Sequence, residues 1–427
     1  MERHGVGMQV VDQANVEHGN AGPSPHDAAG FAIPERVRPI RDKALHFVEN
    51  RVYPVEKTFY AGGPEWKPIE KELIAEAQSL GLFAIGHPTS MGGGGLPWLD
   101  YAYVNEIIGR SDAALHVFGS YSLQSCLMLD AAGTAEQKER VLFPKVRGDL
   151  YMAFSVTEPG AASSDPTNIQ TTARLDGDEW VINGRKWYVS GGDHADWICV
   201  MCRTEPEGTP VHEAFSMILV PAGTPGLTMV REMHVMGLTH ASHPEFLYED
   251  VRVPAKHLLG KRGEGFKLFQ VRLGPARITN CMRWLGQMQR AFDIMCNRIN
   301  ARELAGGQRL ADKQLMRQYV YDSYLDIQTS RMIVLDAAAK LERDEQARVE
   351  VSVIKCAASR ALFRVIDRAI QAHGALGVSN DTPLEAMYRM ARIMRIVDGP
   401  DEVHIDRAGK IVLREFEAGR GWDFAIR

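Results

Sequence analysis

The chain has no surplus of positive charge: its 49 Lys and Arg are outnumbered by 54 Asp and Glu, for a net charge of -5. Phosphate-rich partners are met with basic surfaces, so no nucleic-acid partner is expected. The short basic run Arg389, Arg392, Arg395 reads as a solvated helix face. Nor is there an apolar run near the ~18–20 residues that cross a bilayer, so no membrane partner is expected. Residues 1–33 carry Glu2, Asp12 and Glu17 and no apolar stretch; they read as a flexible extension rather than a targeting peptide. With Ala425-Ile426-Arg427 not forming a peroxisomal tail, the expected location is cytoplasmic.

Cysteine is scarce. Six residues (Cys126, Cys199, Cys202, Cys281, Cys296, Cys356) are scattered over 427, which fits reduced thiols rather than a disulfide frame. Cys199 and Cys202 form a C-x-x-C, but Trp197 to Cys202 reads as a buried strand on which residues three apart face opposite sides. No second pair completes a zinc site. His240 and His243, an H-x-x-H with no third ligand nearby, read as a surface loop, and no metal is expected. A G-x-G-x-x-G after a strand is also missing, so a nicotinamide on a Rossmann unit is not indicated. Gly260, Gly263 and Gly265 read as a turn leading into a helix.

What is present is length and a change of texture. With ~150 residues per domain as a prior, 427 residues predict two or three domains, and 45% hydrophobic with 24% charged residues is an ordinary globular composition. Residues 34–150 have a helical pattern: Pro34-Glu35 is placed to open a helix, Thr134 to Gln137 is a capping box, and Met91 to Gly95 is a loop between helices. Residues 151–262 read as a β domain, with Asn183-Gly184 expected as the type I′ turn of a hairpin and further strands at Phe215 to Val220 and Phe246 to Val253. Residues 263–427 are helical again, with Met316, Val320, Tyr324, Ile327, Val334, Ala338 and Leu341 at helical spacing. The expected fold class is α+β: an N-terminal helical domain, a central β-barrel or sandwich domain, and a C-terminal four-helix bundle.

The segment Tyr151 to Asp165 holds Phe154, Val156, Thr157, Glu158, Pro159, Gly160, Ser163 and Ser164, and Gly184 to Gly192 holds Trp187, Tyr188 and Ser190. Taken alone, a T-E-P-G turn is an unremarkable loop. Backbone amides and hydroxyls can meet the polar edge of a planar ring, while an aromatic covers its face. Further along stand Leu273-Gly274-Pro275-Ala276-Arg277, then Arg302, then Gln371 to Gly377, then Val397-Asp398-Gly399-Pro400-Asp401-Glu402-Val403-His404. In this order the six segments resemble the acyl-CoA dehydrogenase family, over roughly residues 35–420. The A-S-S-D and D-G-P-D-E-V-H wording looks like the subgroup that handles 4-hydroxyacyl chains behind a kinase-like domain. Only the short extension stands ahead of residue 34 here, so the acyl chain is left open.

The resemblance implies an FAD enzyme converting an acyl-CoA thioester to the 2-enoyl-CoA, with hydride passing to flavin N5. It implies that Phe154, Val156, Thr157, Tyr188 and Ser190 line the isoalloxazine, and that Ser163 (or Ser164, since the motif carries one inserted residue) lies near the pyrophosphate or substrate. Arg302 then reaches a neighbouring subunit's FAD, Gln371 and Gly374 hold the adenosine half, and Pro400 and Glu402 contact the cofactor. Gly274, Arg277 and Gly399 meet the substrate, with Arg277 near thioester and base. Implied partners are an acyl-CoA, an electron-transfer flavoprotein and further copies of the chain, as dimer or tetramer.

Asp398 is implied as the catalytic base, where the family usually has Glu. As a bare residue before Gly-Pro it reads as a turn-former. Asp is shorter by one bond, ~1.5 Å, and ~1 Å of misplacement can cost ~10²-fold. Some members carry the base at the position of Ala276, which is not acidic here. Two other functions remain open: an Asp-based flavin oxidase of nitroalkanes or acyl-CoA, and a non-catalytic flavoprotein with a binding role, which the negative net charge disfavours.

Overall fold

The computed structural model describes residues 32–162, 165–343, 347–422 and 424. Among them the elements run helices, strands, helices. The first group is α1 (Arg38–Phe47), α2 (Glu56–Ala61), α3 (Trp66–Ser79), α4 (Trp98–Ile108), α5 (Asp112–Val117), α6 (Leu123–Ala132), α7 (Ala135–Gln137) and α8 (Phe143–Arg147). Eight strands follow: β1 (Met152–Ser155), β2 (Thr172–Asp176), β3 (Glu179–Lys186), β4 (Trp197–Arg203), β5 (Phe215–Pro221), β6 (Leu227–Arg231), β7 (Glu245–Pro254) and β8 (Leu258–Leu259). The second helical group is α9 (Gly265–Ala301), α10 (Gln314–Glu342), α11 (Arg348–His373), α12 (Leu384–Ile393) and α13 (Asp401–Glu417).

Local signals account for several element ends. Thr134 and Gln137 make the expected reciprocal capping box at α7. Pro34 opens a turn, its carbonyl accepting from Val37 and Arg38, and α1 begins only at Arg38. The Asn183-Gly184 expectation is corrected: β3 runs straight through it, with a register irregularity against β7 between Ile182 and Gly184. A side chain at Gly184 would collide with Thr171, 2.4 Å from the hydroxyl, so glycine serves close packing there. The tight turn lies earlier, at Gly177-Asp178 between paired Asp176 and Glu179.

The strands form one mixed sheet in the order β6-β7-β3-β2-β4-β5-β8, with β1 beside β4 and parallel to it. Along β4 the two faces serve different cores, as strand alternation requires. Cys199 and Met201 pack with Met128, Leu129 and Phe215 under α6, while Val200 and Cys202 pack with Ile182, Tyr248 and Val253 inside the sheet.

The two helical groups share a third core, in which Phe47, Tyr101 and Phe118 join Ile278, Trp284 and Leu362. Close approach of α4 to α9 depends on paired glycines. A Cβ on Gly286 would lie 1.9 Å from the Glu106 carbonyl, and one on Gly109 2.2 Å from that of Arg283. Buried charge fixes the register: Arg290 of α9 donates to both oxygens of Glu56, each at 2.8 Å, a bidentate geometry that specifies orientation as well as attraction. The first half of α9 meets β5 and, through Arg277 and Asn280, the turn between α12 and α13.

Candidate active site

The site is built where the chain turns between α12 and α13. Asp398 has φ +54° and Gly399 φ +101°, a sharp left-handed turn that costs a non-glycine residue energy unless its surroundings hold it. Three donors do so. Arg277 Nε reaches the Asp398 carbonyl at 3.0 Å, His404 Nε2 reaches the same carbonyl at 3.1 Å, and Asn280 Nδ2 reaches the carboxylate at 2.5 Å. Burial, and then the charge of Arg277, pulls His404 down to about 4. The ring is therefore neutral near pH 7, with Nε2–H donating to Asp398 and Nδ1 accepting from Ser352 at 3.4 Å. Gly399 cannot carry a side chain without meeting His404, whose Nε2 lies 2.9 Å from the Cβ position.

Asp401 anchors the turn from below. Its carboxylate is 1% exposed and accepts from Arg360 Nε and Arg395 Nε, both at 3.0 Å, with Lys355 Nζ at 3.6 Å. Burial alone would raise this carboxyl; the hydrogen bonds from Arg360 and Arg395 outweigh it and hold the group below its ordinary range. Arg395, with its side chain 36% exposed, thus pairs with a buried carboxylate, a correction to its reading as part of a solvated helix face. Pro400 caps α13 and Glu402 is exposed on its first turn.

A wall of the β domain faces α9. Phe154 of β1 packs against Phe269 at 6.0 Å and under the Arg272 guanidinium at 4.3 Å. After β1, the loop 156–158 is pinned by Lys186, fully buried, which donates to the Val156 carbonyl at 2.7 Å and pairs with Glu158 at 2.9 Å. Glu158 also accepts from the Gln170 and Thr171 amides at 2.7 and 2.8 Å. The loop is then joined to the second segment by two bonds, Thr157 Oγ1 to the Trp187 carbonyl at 2.7 Å and Trp187 N to the Thr157 carbonyl at 3.0 Å. Tyr188, at φ +52° and 47% exposed, projects from this seam, and Ser190 bonds His243 at 2.9 Å. Trp187 Nε1 is buried without a hydrogen-bond partner among the described residues. On α9, space is open above Gly274.

Asp398, Gly399, Pro400 and Arg277 therefore sit together, with Gly274 on the preceding turn of α9. Val156, Thr157, Tyr188 and Ser190 form a second group, and Phe154 meets α9 through Phe269 and Arg272. Arg302, Gln371 and Gly374 stand apart, at the far ends of α9 and α11. At ~1.5 Å rise per residue, Arg302 lies about 37 Å along α9 from Arg277, so no single protomer brings it to this turn. Ser163 and Ser164 lie outside the described residues. Sequence reasoning missed Asn280 and Arg272; their signal was helical spacing, since Asn280 is three residues past Arg277 on one face. Ala276, at the alternative base position, is buried and apolar. His240 does lie in a loop, yet it is packed between Phe59 at 4.7 Å and Tyr60 at 5.0 Å. No group of three or more His, Cys, Asp or Glu suited to a metal occurs among the described residues, and none of their helices is long and apolar enough to cross a membrane.

Residues 34–149, 153–251 and 263–413 match, in order, the descriptions "Acyl-CoA dehydrogenase, N-terminal domain", "middle domain" and "C-terminal domain". The chain belongs to the acyl-CoA dehydrogenase family. It is 40% identical over 392 residues to the probable acyl-CoA dehydrogenase FadE2 of Mycobacterium tuberculosis, covering 88% of this chain and 95% of that protein. It is 36% identical over 403 residues to acyl-CoA dehydrogenase family member 11 of Rattus norvegicus, covering 90% of this chain and 51% of that one; the chain spans about half the length of that relative. A putative acyl-CoA dehydrogenase from Mycobacterium abscessus superposes with a TM-score of 0.85 at 36% identity, over 90% of this chain and all of the other (100%). Butyryl-CoA dehydrogenase from Megasphaera elsdenii gives 0.80 at 27% identity, over 89% and 99%. The architecture of helical, sheet and helical domains is that of the family.

Proposed function

We propose that this chain is an FAD-dependent acyl-CoA dehydrogenase that removes the α-proton of an acyl-CoA thioester with Asp398. The observation that carries the proposal is the arrangement at Asp398: a carboxylate on a strained turn, its backbone clamped by Arg277 and His404, beside the helix whose Arg272 covers Phe154 of the β domain. A residue kept in left-handed geometry by three donors is placed with more care than a turn requires.

The residues present suit a flavin. The 156–158 loop and the Trp187–Ser190 segment form a hydrogen-bonded edge, the orphaned Trp187 Nε1 is a donor without a partner among the described residues, and Tyr188 is a half-exposed aromatic beside Trp187 at 5.0 Å. Val156, Thr157, Tyr188 and Ser190 would hold the ring, with Phe154 as backing. FAD, when bound, supplies the hydride acceptor for the β-carbon. The chain's own part is to desolvate Asp398 as substrate enters, which raises carboxylate basicity, and to hold it at the α-carbon, a positioned general base worth ~10²–10⁴-fold. Arg272 and Arg277 lie close enough to Asp398 for its charge to be felt by both.

Arg302, about 37 Å along α9 from Arg277, is assigned to the cofactor of a neighbouring copy, and Gln371 and Gly374 to the adenosine half of the cofactor. The active form is then a homo-oligomer, a dimer or tetramer, whose electrons pass to an electron-transfer flavoprotein. The exposed apolar residues Leu413 and Phe416 of α13 suit such assembly. Anaerobic titration of the purified yellow protein with acyl-CoAs of different chain types should bleach the flavin with at least one. Stoichiometric hydrogen peroxide in air without an added acceptor would favour the oxidase reading, to which the use of Asp lends support. Failure of every acyl-CoA to bleach would contradict the proposal.

A further inference from the structure

Asp398 is held twice from one helical turn. Arg277 and Asn280 are three residues apart on α9 and so face the same way. Arg277 takes the backbone carbonyl of Asp398 at 3.0 Å, while Asn280 takes carboxylate Oδ2 at 2.5 Å. Other ionisable groups near Asp398 are Arg272, Arg283 and Cys281 of α9, Lys355 of α11 and His404 of α13. Asn280 is the one side chain among the described residues that hydrogen-bonds the carboxylate itself.

Resting on the reading of Asp398 as base, we infer that Asn280 is its positioning residue. The amide fixes Oδ2 and leaves Oδ1 to accept the α-proton. The terminal torsion of an Asp is broad and poorly restricted by its own rotamer preferences, so a carboxylate on a short stem needs an external tether to point in one direction. Asn280 carries no charge and takes no proton; it acts through Asp398. Losing that bond frees the carboxylate to turn.

The test uses the full-length, FAD-loaded protein and two probes. One is the acyl-CoA that bleaches the wild-type flavin fastest. The other is its 3-thia analogue, in which sulfur replaces the β-carbon and leaves only α-proton abstraction. Exchange of the analogue's α-hydrogens with D2O reads the base step: the C–H proton goes to Asp398, its electron pair to the thioester oxygen, and a deuteron returns. Asn280→Ala should lower both the exchange rate and the saturating rate of flavin reduction about 10–100-fold, the scale of a ~1 Å misplacement. FAD content and half-saturating acyl-CoA concentration should stay nearly unchanged. Asn280→Asp keeps the volume and places a second carboxyl on Asp398. The two should share a proton and shift the acid limb of the profile to higher pH. In an Asp398→Glu background the longer side chain should depend less on the tether, so the Asn280→Ala effect should shrink, a coupling that a double-mutant cycle measures.

An exchange rate within about 3-fold of wild type in Asn280→Ala (~0.6 kcal/mol by the usual conversion), together with an unmoved pH profile in Asn280→Asp, overturns the inference. An equal loss in the Asp and Glu backgrounds does so too. If Asp398→Asn itself still exchanges α-protons, the reading of the base fails instead, and the two failures are told apart.

Discussion

Replacing Lys186 with Met tests how the wall at residues 156–158 is held. Nζ is fully buried and makes two contacts, 2.9 Å to Glu158 and 2.7 Å to the Val156 carbonyl. Met keeps the apolar stem and removes both. Glu158, 4% exposed, then keeps its two backbone donors but loses its counter-ion. Breaking one side of a buried pair costs about 3–5 kcal/mol, and a buried carbonyl without its donor about 1–3 kcal/mol. Since the stranded carboxyl can protonate, a net loss of about 3–5 kcal/mol is expected near pH 7. Burial pushes the Glu158 carboxyl up, and Lys186 with the amide donors pulls it below its ordinary range. Its contribution is therefore complete above the unfolded value of ~4.3 and is lost as pH falls through the folded value, so the difference between wild type and variant should narrow in acid. Urea unfolding of the FAD-loaded protein and flavin retention on gel filtration provide the readouts. Adding Glu158→Gln should recover much of the loss, because the stranded charge is gone. A loss below about 1 kcal/mol, the range of an exposed pair, with flavin retained, would refute the reasoning.

Three further outcomes are expected. Gly286→Ala forces a methyl group to within 1.9 Å of the Glu106 carbonyl and should cost about 1–3 kcal/mol or more by overpacking; an unchanged unfolding midpoint contradicts the close helix approach. Gly399→Ala strains a φ of +101° and crowds His404; the acyl-CoA bleaching rate should drop by an order of magnitude or more with FAD content retained, since ~1 Å of displacement suffices. Burial lowers His87 and His404 to about 4, below the unfolded ~6.5. Their contribution is whole above ~6.5 and is lost as pH falls towards 4, about 3 kcal/mol each. Asp112, raised by burial to about 6, offsets part of this because its neutral form is favoured. The unfolding midpoint should therefore fall between pH 6.5 and 4, and less steeply in His87→Gln; a flat profile contradicts the buried neutral rings.

The helix–strand–helix order was legible because it rests on local periodicity and on composition changes near Tyr151 and Gly265. The capping box at Thr134 was legible for the same reason: its partners are three residues apart. The Asn183-Gly184 turn was misread because both a type I′ turn and a bulge favour glycine, and the choice is made by Thr171, which sequence spacing does not place beside Gly184. Asp398 could be singled out from its motif alone. What holds it was not, since Asn280 is 118 residues away and meets it only after α9 docks against the last turn. Arg395 was misjudged for a related reason: a periodic basic run looks solvated until the fold brings Asp401 beneath it.

The central claim is that Asp398 removes the α-proton. Its most direct test is the rate of anaerobic flavin reduction in Asp398→Asn, using the acyl-CoA that bleaches the wild type fastest. Asn keeps the shape and removes the base. The account predicts a yellow protein with normal FAD content, unchanged acyl-CoA binding, and a reduction rate lowered by at least ~10²-fold, the lower end of what a positioned base contributes. Reduction at a rate near that of the wild type would contradict it and place the base elsewhere.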